Sequence, residues 1–301
     1  MQEVLVTRRE AVRKAALAGL VVSQLRAAPA LTAAEPAPPP GGAPAPFRLK
    51  LGIATYSLRQ LPLDAAVAAL RALQVTSVSV FRLHVPVLVG TPDVCREAAQ
   101  KFRDAGMTIA ATGVVTLSKS EEVMRKAFDC GRAAGLTTMT ASYAAPPDRE
   151  TLQLTERFVR EYDIRLAFHN HGPGDPIFPS PYDVMRTVEP FDERLGLCLD
   201  VGHSLRAGAD PVEAIFKCRA RLYDVHLKDS LAQVGDAKDR PVEVGFGHLD
   251  LRGMMAALRE IRFAGQAGLE DEVDSADPVP GVAQSFGYLR GMEAALARSG
   301  A

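Results

Sequence analysis

The sequence predicts an α/β protein: a single (β/α)8 barrel behind a distinct N-terminal tail. Three observations carry that expectation. From Phe47 onward, a short apolar strand, a loop and an amphipathic helix recur eight times. Residues 47–301 supply the length such a barrel needs, about 250 residues. The competing fold, an open doubly wound sheet, lacks its fingerprint. The first strand runs into LGIATYSLRQLPLD, which has one glycine and no G-x-G-x-x-G. Walker and G-x-S-x-G motifs are also missing from the sequence.

The predicted strands are Lys50–Tyr56, Ser77–Arg82, Thr108–Val115, Thr137–Ser142, Arg165–His169, Leu195–Asp200, Leu222–Lys228 and Ala267–Glu270. Helical patterns fall near 63–73, 92–105, 121–134, 149–162, 181–189, 211–220, 251–263 and 281–297. Several of these have marked starts. SPYD at 180–183 and DPVE at 210–213 each offer an N-cap, a proline at the first helical position and an acid at the third. TPD at 91–93 offers the same cap and proline. Gly106, Gly131 and Gly135 sit near or within helix ends, as C-terminal glycines often do. The longest connection, from about Asp229 to His248, follows the seventh strand, and a loop of that length is expected to act as a lid or binding loop. Nothing in 47–301 marks an internal boundary, so one domain is expected there.

The chain has 301 residues, 47% hydrophobic and 24% charged, an ordinary soluble composition. A formal net charge of −1 gives no general attraction for nucleic acid or an anionic membrane. No tryptophan and 6% aromatic residues argue against a base-stacking surface. Cys95, Cys130, Cys198 and Cys218 form no CxxC and sit in apolar patterns, so each reads as a small buried hydrophobe.

Residues 1–46 differ from the rest. TRREAVRKAALAGLVVSQL places Arg8, Arg9, Arg13 and Lys14 ahead of a modest apolar run, and AAPALTAAEPAPPPGGAPAP follows. The run is too short for a membrane span. It has the charged, apolar and small-residue regions of a secretory signal. The Thr-Arg-Arg start resembles a twin-arginine signal, with Ala11 where a more apolar residue usually stands. The expectation is an exported, periplasmic protein; if the segment is only a disordered tail, the protein is cytoplasmic. The tail has five basic and three acidic residues, which leaves −3 for the barrel.

In a (β/α)8 barrel the chemistry sits at the C-terminal ends of the strands. Strand one ends in TYSLR (Tyr56, Arg59) and strand two in FRLH (Arg82, His84). Strand five ends in HNH, with His169 and His171. Strand six ends in LDVGH (Asp200, His203), strand seven in VHLKD (His226, Lys228, Asp229) and strand eight in LEDE (Glu270, Glu272). Five of the six histidines in the chain lie at these ends. Asp200, His226, Glu270 and one residue of HNH give two carboxylates and two imidazoles, a set suited to one divalent metal ion: Mn, Mg, Co or Zn. Such an ion binds two neighbouring oxygens of a sugar and stabilises the enediolate formed when a proton leaves beside a carbonyl.

Singly, each residue also has a structural explanation. Asp200 suits a cap or turn, His84 a hydrogen-bonded rim position, and Lys228 can snorkel. Asp229 is best read as a cap for the following loop. The functional reading rests on their coincidence across strands.

LGIATYSLR, AFHNHG, LCLDVGH, DVHLKD, VGFGHLDL and GLEDE, in this order and spacing, resemble the xylose-isomerase-like TIM barrels of the sugar phosphate isomerase/epimerase superfamily. The resemblance covers roughly 50–297. It implies four metal ligands: a carboxylate on strand five, then Asp200, His226 and Glu270. It also implies that His203 binds substrate. The sequence departs at the first ligand, where His169 replaces a glutamate that in the epimerases serves as ligand and as acid/base. A histidine still binds metal and moves protons.

The sites expected from the whole reading are therefore His169, Asp200, His226 and Glu270 on the metal. Glu270 is the expected base, with His169 or His171 as a second proton-transfer group. His84, His203 and Lys228 are expected on a small-molecule carbohydrate substrate. The expected activity is that of an isomerase or epimerase. The HNH variety resembles members linked to oxidised glycosides, so a lyase acting on a keto-sugar or 3-keto-glycoside is the alternative. A non-catalytic exported sugar-binding protein is a third reading, and assembly into a homo-oligomer is left open. The resemblance extends to abasic-site endonucleases, but a barrel charge of −3 and few early-strand ligands argue against DNA.

Overall fold

The computed structural model describes residues 47–299; the expected signal and linker at 1–46 lie outside the described residues. In chain order the strands are β1 (Lys50–Ala54), β2 (Ser77–Val80), β3 (Thr108–Thr112), β4 (Val115–Leu117), β5 (Thr138–Tyr143), β6 (Arg165–His169), β7 (Leu195–Asp200), β8 (Leu222–Leu227), β9 (Asp229–Ser230), β10 (Pro241–Val242) and β11 (Gln266–Leu269). Nine of them form one parallel sheet in the order β3-β2-β1-β11-β8-β7-β6-β5-β4, curled into a nearly closed barrel. β9 and β10 form a small antiparallel pair inside the long 229–248 connection.

The expected third strand is in fact two strands. β3 pairs with β2 and β4 with β5, with Gly113 and Val114 between them. Thr112 closes the gap. Its hydroxyl accepts from Thr140 N at 2.9 Å and donates to Thr140 O at 3.1 Å, doing for the ladder what a peptide group does elsewhere. The barrel thus closes through a side chain. β1 also ends earlier than expected, because Thr55–Leu58 turn into a short 3-10 segment.

The helices are α1 (Leu63–Ala72), α2 (Pro92–Asp104), α3 (Glu121–Ala133), α4 (Arg149–Tyr162), α5 (Pro181–Val188), α6 (Val201–Arg206), α7 (Pro211–Cys218), α8 (Leu251–Glu260) and α9 (Pro278–Ser299). The expected starts are present. Thr91 caps α2, Ser180 and Asp183 form a capping box on α5, and Asp210 caps α7. α8 stops short of 263 because Arg262 adopts the left-handed region, φ 51°. α6 has no counterpart in the predicted elements. Six residues that leave a strand without a loop show no helical periodicity.

Two cores result from the two-residue alternation of the strands. Outer faces pack Ile53, Val78, Phe168, Leu197 and Val225 among buried helix residues such as Phe102, Phe128 and Phe158. The bore is small and polar. Contacts between strands that are not ladder neighbours show which side chains point in. Ser77 Oγ donates to Gln266 Oε1 at 2.5 Å, Thr140 Oγ1 to Asp224 Oδ2 at 3.0 Å, and His169 Nε2 lies 3.2 Å from His226 Nδ1. The branched aliphatic layers usual in such barrels give way here to hydroxyls, amide and acid.

Candidate metal centre at the C-terminal mouth

Four neighbouring strands deliver the four expected ligands to one level. His169 ends β6 and Asp200 ends β7; His226 lies on β8 and Glu270 directly follows β11. Parallel register places Asp200 opposite His226. His169 Nε2 lies 3.2 Å from His226 Nδ1 and 3.5 Å from Asp200 Oδ2, and His226 Nδ1 lies 3.3 Å from Glu270 Oε1. One donor atom from each of the four falls within 4.8 Å of the others, and all four residues are buried. His169, Cys198 and His226 form a second such group. Burial pushes the Cys198 thiol up to about 12.

Lys228 brings the counter-charge. Its Nζ lies 2.9 Å from Asp200 Oδ2, 3.1 Å from Glu270 Oε2 and 3.0 Å from Glu272 Oε2. Burial alone disfavours each of these charges, and the pairs reverse it. Burial opposes the Lys228 ammonium, but the carboxylates of Asp200, Glu270 and Glu272 hold its pKa well above the usual value. Burial would raise Asp200, yet His203, Lys228 and His169 keep it well below the carboxylate range. Glu270 is likewise lowered against burial by His226 and Lys228. Glu272 alone of these acids ends above its ordinary value, raised by burial and by the neighbouring charges of Glu270 and Asp200. Burial pushes His169 down to about 3 and His203 to about 4, which leaves both as neutral imidazoles at neutral pH.

A divalent ion fits these residues. Three of the six donor separations, 3.2, 3.3 and 3.5 Å, match the roughly 3.3 Å edge of a tetrahedron with bonds of about 2.0 Å, and all six lie within 4.8 Å. Asp200 Oδ2 is buried, and its neighbours are the Lys228 ammonium at 2.9 Å and His169 Nε2 at 3.5 Å, both at ion-pair distance. The far nitrogen of His226, Nε2, lies 3.6 Å from Asp224 Oδ2, a carboxylate placed to orient the ring from behind.

His169 and Glu270 reach a cavity of about 280 Å³. His171, His203 and Glu272 give it a polar side. Tyr56 and Phe81, edge to face with centroids 5.0 Å apart, give it an aromatic side. Arg59 covers the Tyr56 ring at 4.7 Å and Arg82 the Phe81 ring at 5.5 Å.

The structure brings His203 to this cavity; His84 and Lys228, also expected on the substrate, do not line it. His84 has both ring nitrogens engaged, Nδ1 at 2.8 Å from Thr55 Oγ1 and Nε2 at 3.0 Å from Leu61 O, so it pins the turn after β1. The Lys228 ammonium is held by three carboxylates and does not line the cavity. His171 does not share a strand face with His169, because β6 ends at His169. The turn that follows still stacks the two rings with centroids 4.5 Å apart, and His171 stays outside the group of four.

Two residues that sequence reasoning passed over, Asn170 and Arg206, hold this mouth together. Asn170, the centre of HNH, cross-links β6 to β7: its amide donates to Asp200 O and Ser204 Oγ at 3.1 Å, and its Oδ1 accepts from Asp200 N at 3.0 Å. Asp200 Oδ1 in turn caps α6 by accepting from His203 N at 2.8 Å, so cap and candidate ligand are the same carboxylate. Buried Arg206 donates from Nη2 to His203 Nδ1 at 2.7 Å and to His171 O at 3.4 Å. Its Nη1 donates to Asp236 O at 3.0 Å and Ala237 O at 3.1 Å. Arginine only donates, so His203 Nδ1 accepts and the neutral ring carries its proton on Nε2. Asp229 caps the long loop as expected: its carboxylate accepts from the amides of Ser230, Gly245 and Gly247, each at 2.9 Å.

A rhizopine catabolism protein, MocC, of Rhizobium meliloti is 31% identical over 139 residues, 42% of each chain. A probable endonuclease 4 of Thermoplasma volcanium is 26% identical over 118 residues, 36% of this chain and 42% of that one. The chain thus matches about two fifths of the length of these curated relatives. Solved structures share the fold at low identity. A D-allulose 3-epimerase from Methylomonas sp. superposes with a TM-score of 0.65 at 14% identity, covering 82% of this chain and 99% of that one. A probable 3-DHS dehydratase, AsbF, from Bacillus anthracis gives 0.65 at 12%, covering 80% and 99%. The IOLI protein, solved with a zinc atom, gives 0.65 at 14%, covering 83% and 99%. The profile of the xylose isomerase-like TIM barrel matches residues 67–292, well over half of the sequence. The chain belongs to the xylose isomerase-like TIM barrel family.

Proposed function

We propose that this protein is an enzyme dependent on one divalent metal ion, acting on a small carbohydrate by removing a proton from the carbon beside a carbonyl. The observation that carries the reading is the meeting of His169, Asp200, His226 and Glu270, two of which, His169 and Glu270, line a 280 Å³ cavity. These four would hold the ion, and their two imidazoles favour Zn, Mn or Co over Mg. When bound, it would polarise the substrate carbonyl and stabilise the negative charge left by the departing proton.

The remaining steps fall to side chains. Glu270 is the base: it is ionised, and Lys228 holds its Oε2 at 3.1 Å. Glu272 faces the same cavity with a raised pKa and would carry or return the proton. His203 presents Nε2–H to a substrate oxygen because Arg206 occupies its Nδ1. The Tyr56–Phe81 wall suits the apolar face of a sugar ring.

Isomerisation or epimerisation is the first reading, supported by family membership. Elimination from a keto-sugar is the second, favoured by one observation. Where the resemblance implies a glutamate on β6 there is an imidazole, His169, with His171 stacked 4.5 Å away. His171, which stays outside the group of four, would protonate a leaving oxygen. The test begins with the metal content of the purified protein. Mn-loaded protein is then incubated in D2O with free sugars and with 3-keto-glycosides. Deuterium should enter beside a carbonyl, followed by an epimer or a released aglycone in the NMR spectrum. A metal-free protein that binds sugar without exchanging a proton would overturn this reading in favour of a non-catalytic sugar-binding protein.

A further inference from the structure

The N-terminal mouth of the barrel holds a larger cavity than the site just described, about 480 Å³ against about 280 Å³. In barrels of this type that end serves stability, so a charged cavity there needs a reason. Four cations line it: Lys50 and Arg165 at the starts of β1 and β6, Arg219 in the short turn before β8, and Arg262 after α8. Among the described residues none of the four has a carboxylate within ion-pair distance. Lys50 Nζ donates only to Ala264 O at 3.3 Å. The Arg165 guanidinium lies over the Tyr223 ring at 5.0 Å and that of Arg262 over Phe47 at 5.5 Å, contacts that hold the side chains while leaving their N–H groups free to donate. Arg221, two residues from Arg219, shows what a structural arginine does in this region. It spends its guanidinium on the carbonyls of Val188, Phe191 and Leu195.

The cavity has one carboxylate, Asp224, on its floor, buried and accepting from Thr140 Oγ1 and from the amide of Val225. Four cations against one acid leave the lining at +3, on a chain whose formal net charge is −1. A second observation is independent of charge. Gln266 lines the same cavity and is 1% exposed; its Oε1 accepts from Ser77 Oγ, but its Nε2 has no hydrogen-bond partner. A buried amide donor without an acceptor is costly. The guanidinium forks and the ammonium lack the same thing, an oxygen acceptor carrying negative charge, while the Gln266 amide nitrogen is turned inward toward Gly268.

We propose that the N-terminal mouth is a second binding site, for a small polyanion of the phosphate-ester or polycarboxylate class, held by Arg165, Arg219, Arg262 and Lys50 over Gln266. The volume is that of a small-molecule pocket.

The test is titration calorimetry of the full chain, freed of divalent metal over a chelating resin, with pyrophosphate and separately with citrate. One saturable site is expected. It should weaken as salt is raised, because the arginines reach solvent. The Arg165→Gln, Arg219→Gln double variant should bind at least about tenfold more weakly. Both residues are exposed, and an unchanged melting temperature verifies the fold. His203→Asn, at the other mouth, should bind as wild type does. Tighter pyrophosphate assigns the phosphate class, and tighter citrate the polycarboxylate class. No saturation by about 10 mM with either probe overturns the proposal. So does undiminished binding in the double variant, or binding lost in His203→Asn.

Discussion

The two mouths of this barrel follow opposite electrostatic plans. At the C-terminal mouth, Asp200, Glu270 and Glu272 are gathered around one buried ammonium, and each lies within 3.1 Å of it. At the N-terminal mouth, four cations gather around a cavity and none meets a carboxylate among the described residues. The difference follows from solvation. A charge taken out of water needs a partner of opposite sign, whereas an exposed one is held by water until a ligand displaces it. Compensated charge therefore marks the end built to position groups for chemistry, and uncompensated charge marks the end open to a ligand. Asp224 stands between them, 3.6 Å from His226 Nε2 on one side and lining the lower cavity on the other.

The largest expected effect breaks the comparison at its chemical end. Glu270→Gln keeps the shape and removes the charge, so the proposed base is lost while Lys228 retains Asp200 and Glu272 as partners. Turnover should fall by about 10²–10⁴-fold, with the fold and much of the metal binding intact. Undiminished turnover, followed on whichever substrate the NMR screen identifies, removes Glu270 from the role of base.

Next comes the counter-charge itself. Lys228→Met leaves Asp200 and Glu270 ionised and buried without their cation. In metal-free protein this should cost about 3–5 kcal/mol of unfolding free energy. A divalent ion at about 100 times its Kd should restore about 2.7 kcal/mol, because it supplies the missing positive charge. Denaturant melts with and without Zn measure both. A variant as stable as wild type without metal would mean that the upper mouth is not organised by compensation.

How much of this was legible in the sequence differs between the two ends for the same physical reason. Asp200, His226 and Glu270 could be placed because strand ends are readable from apolar periodicity, and polar residues at a strand end stand out against it. His84 and Lys228 stood out by the same rule, but the rule gives position and not partners. Only the fold shows that Thr55 and Leu61 consume the His84 ring and that three carboxylates consume the lysine. The helix 201–206 was too short to register, and with it Arg206 went unremarked. The split of the third strand at Gly113 depends on one threonine hydroxyl standing in for a peptide, which no periodicity records. The N-terminal mouth left no sequence signal. Lys50, Arg165, Arg219 and Arg262 are scattered over more than 200 residues, and each alone reads as a solvated surface charge.

Two arginines sharpen the comparison at its finest grain. Arg206 and Arg219 are the same residue type, one at each mouth. Arg206 is 5% exposed and committed to His203, His171, Asp236 and Ala237, whereas Arg219 is exposed, with no carboxylate partner among the described residues. Arg206→Gln should cost about 1–3 kcal/mol, since it removes several part-buried hydrogen bonds. It should also release the His203 tautomer, visible as a shift of its ring nitrogens in 15N NMR, and should raise KM more than it lowers kcat. Arg219→Gln should leave stability within about 0.5 kcal/mol and the His203 resonances unmoved, because an exposed guanidinium has only water to lose. Equal stability losses in the two variants would show that the lower arginines are structural after all, and would place the mouths on the same plan.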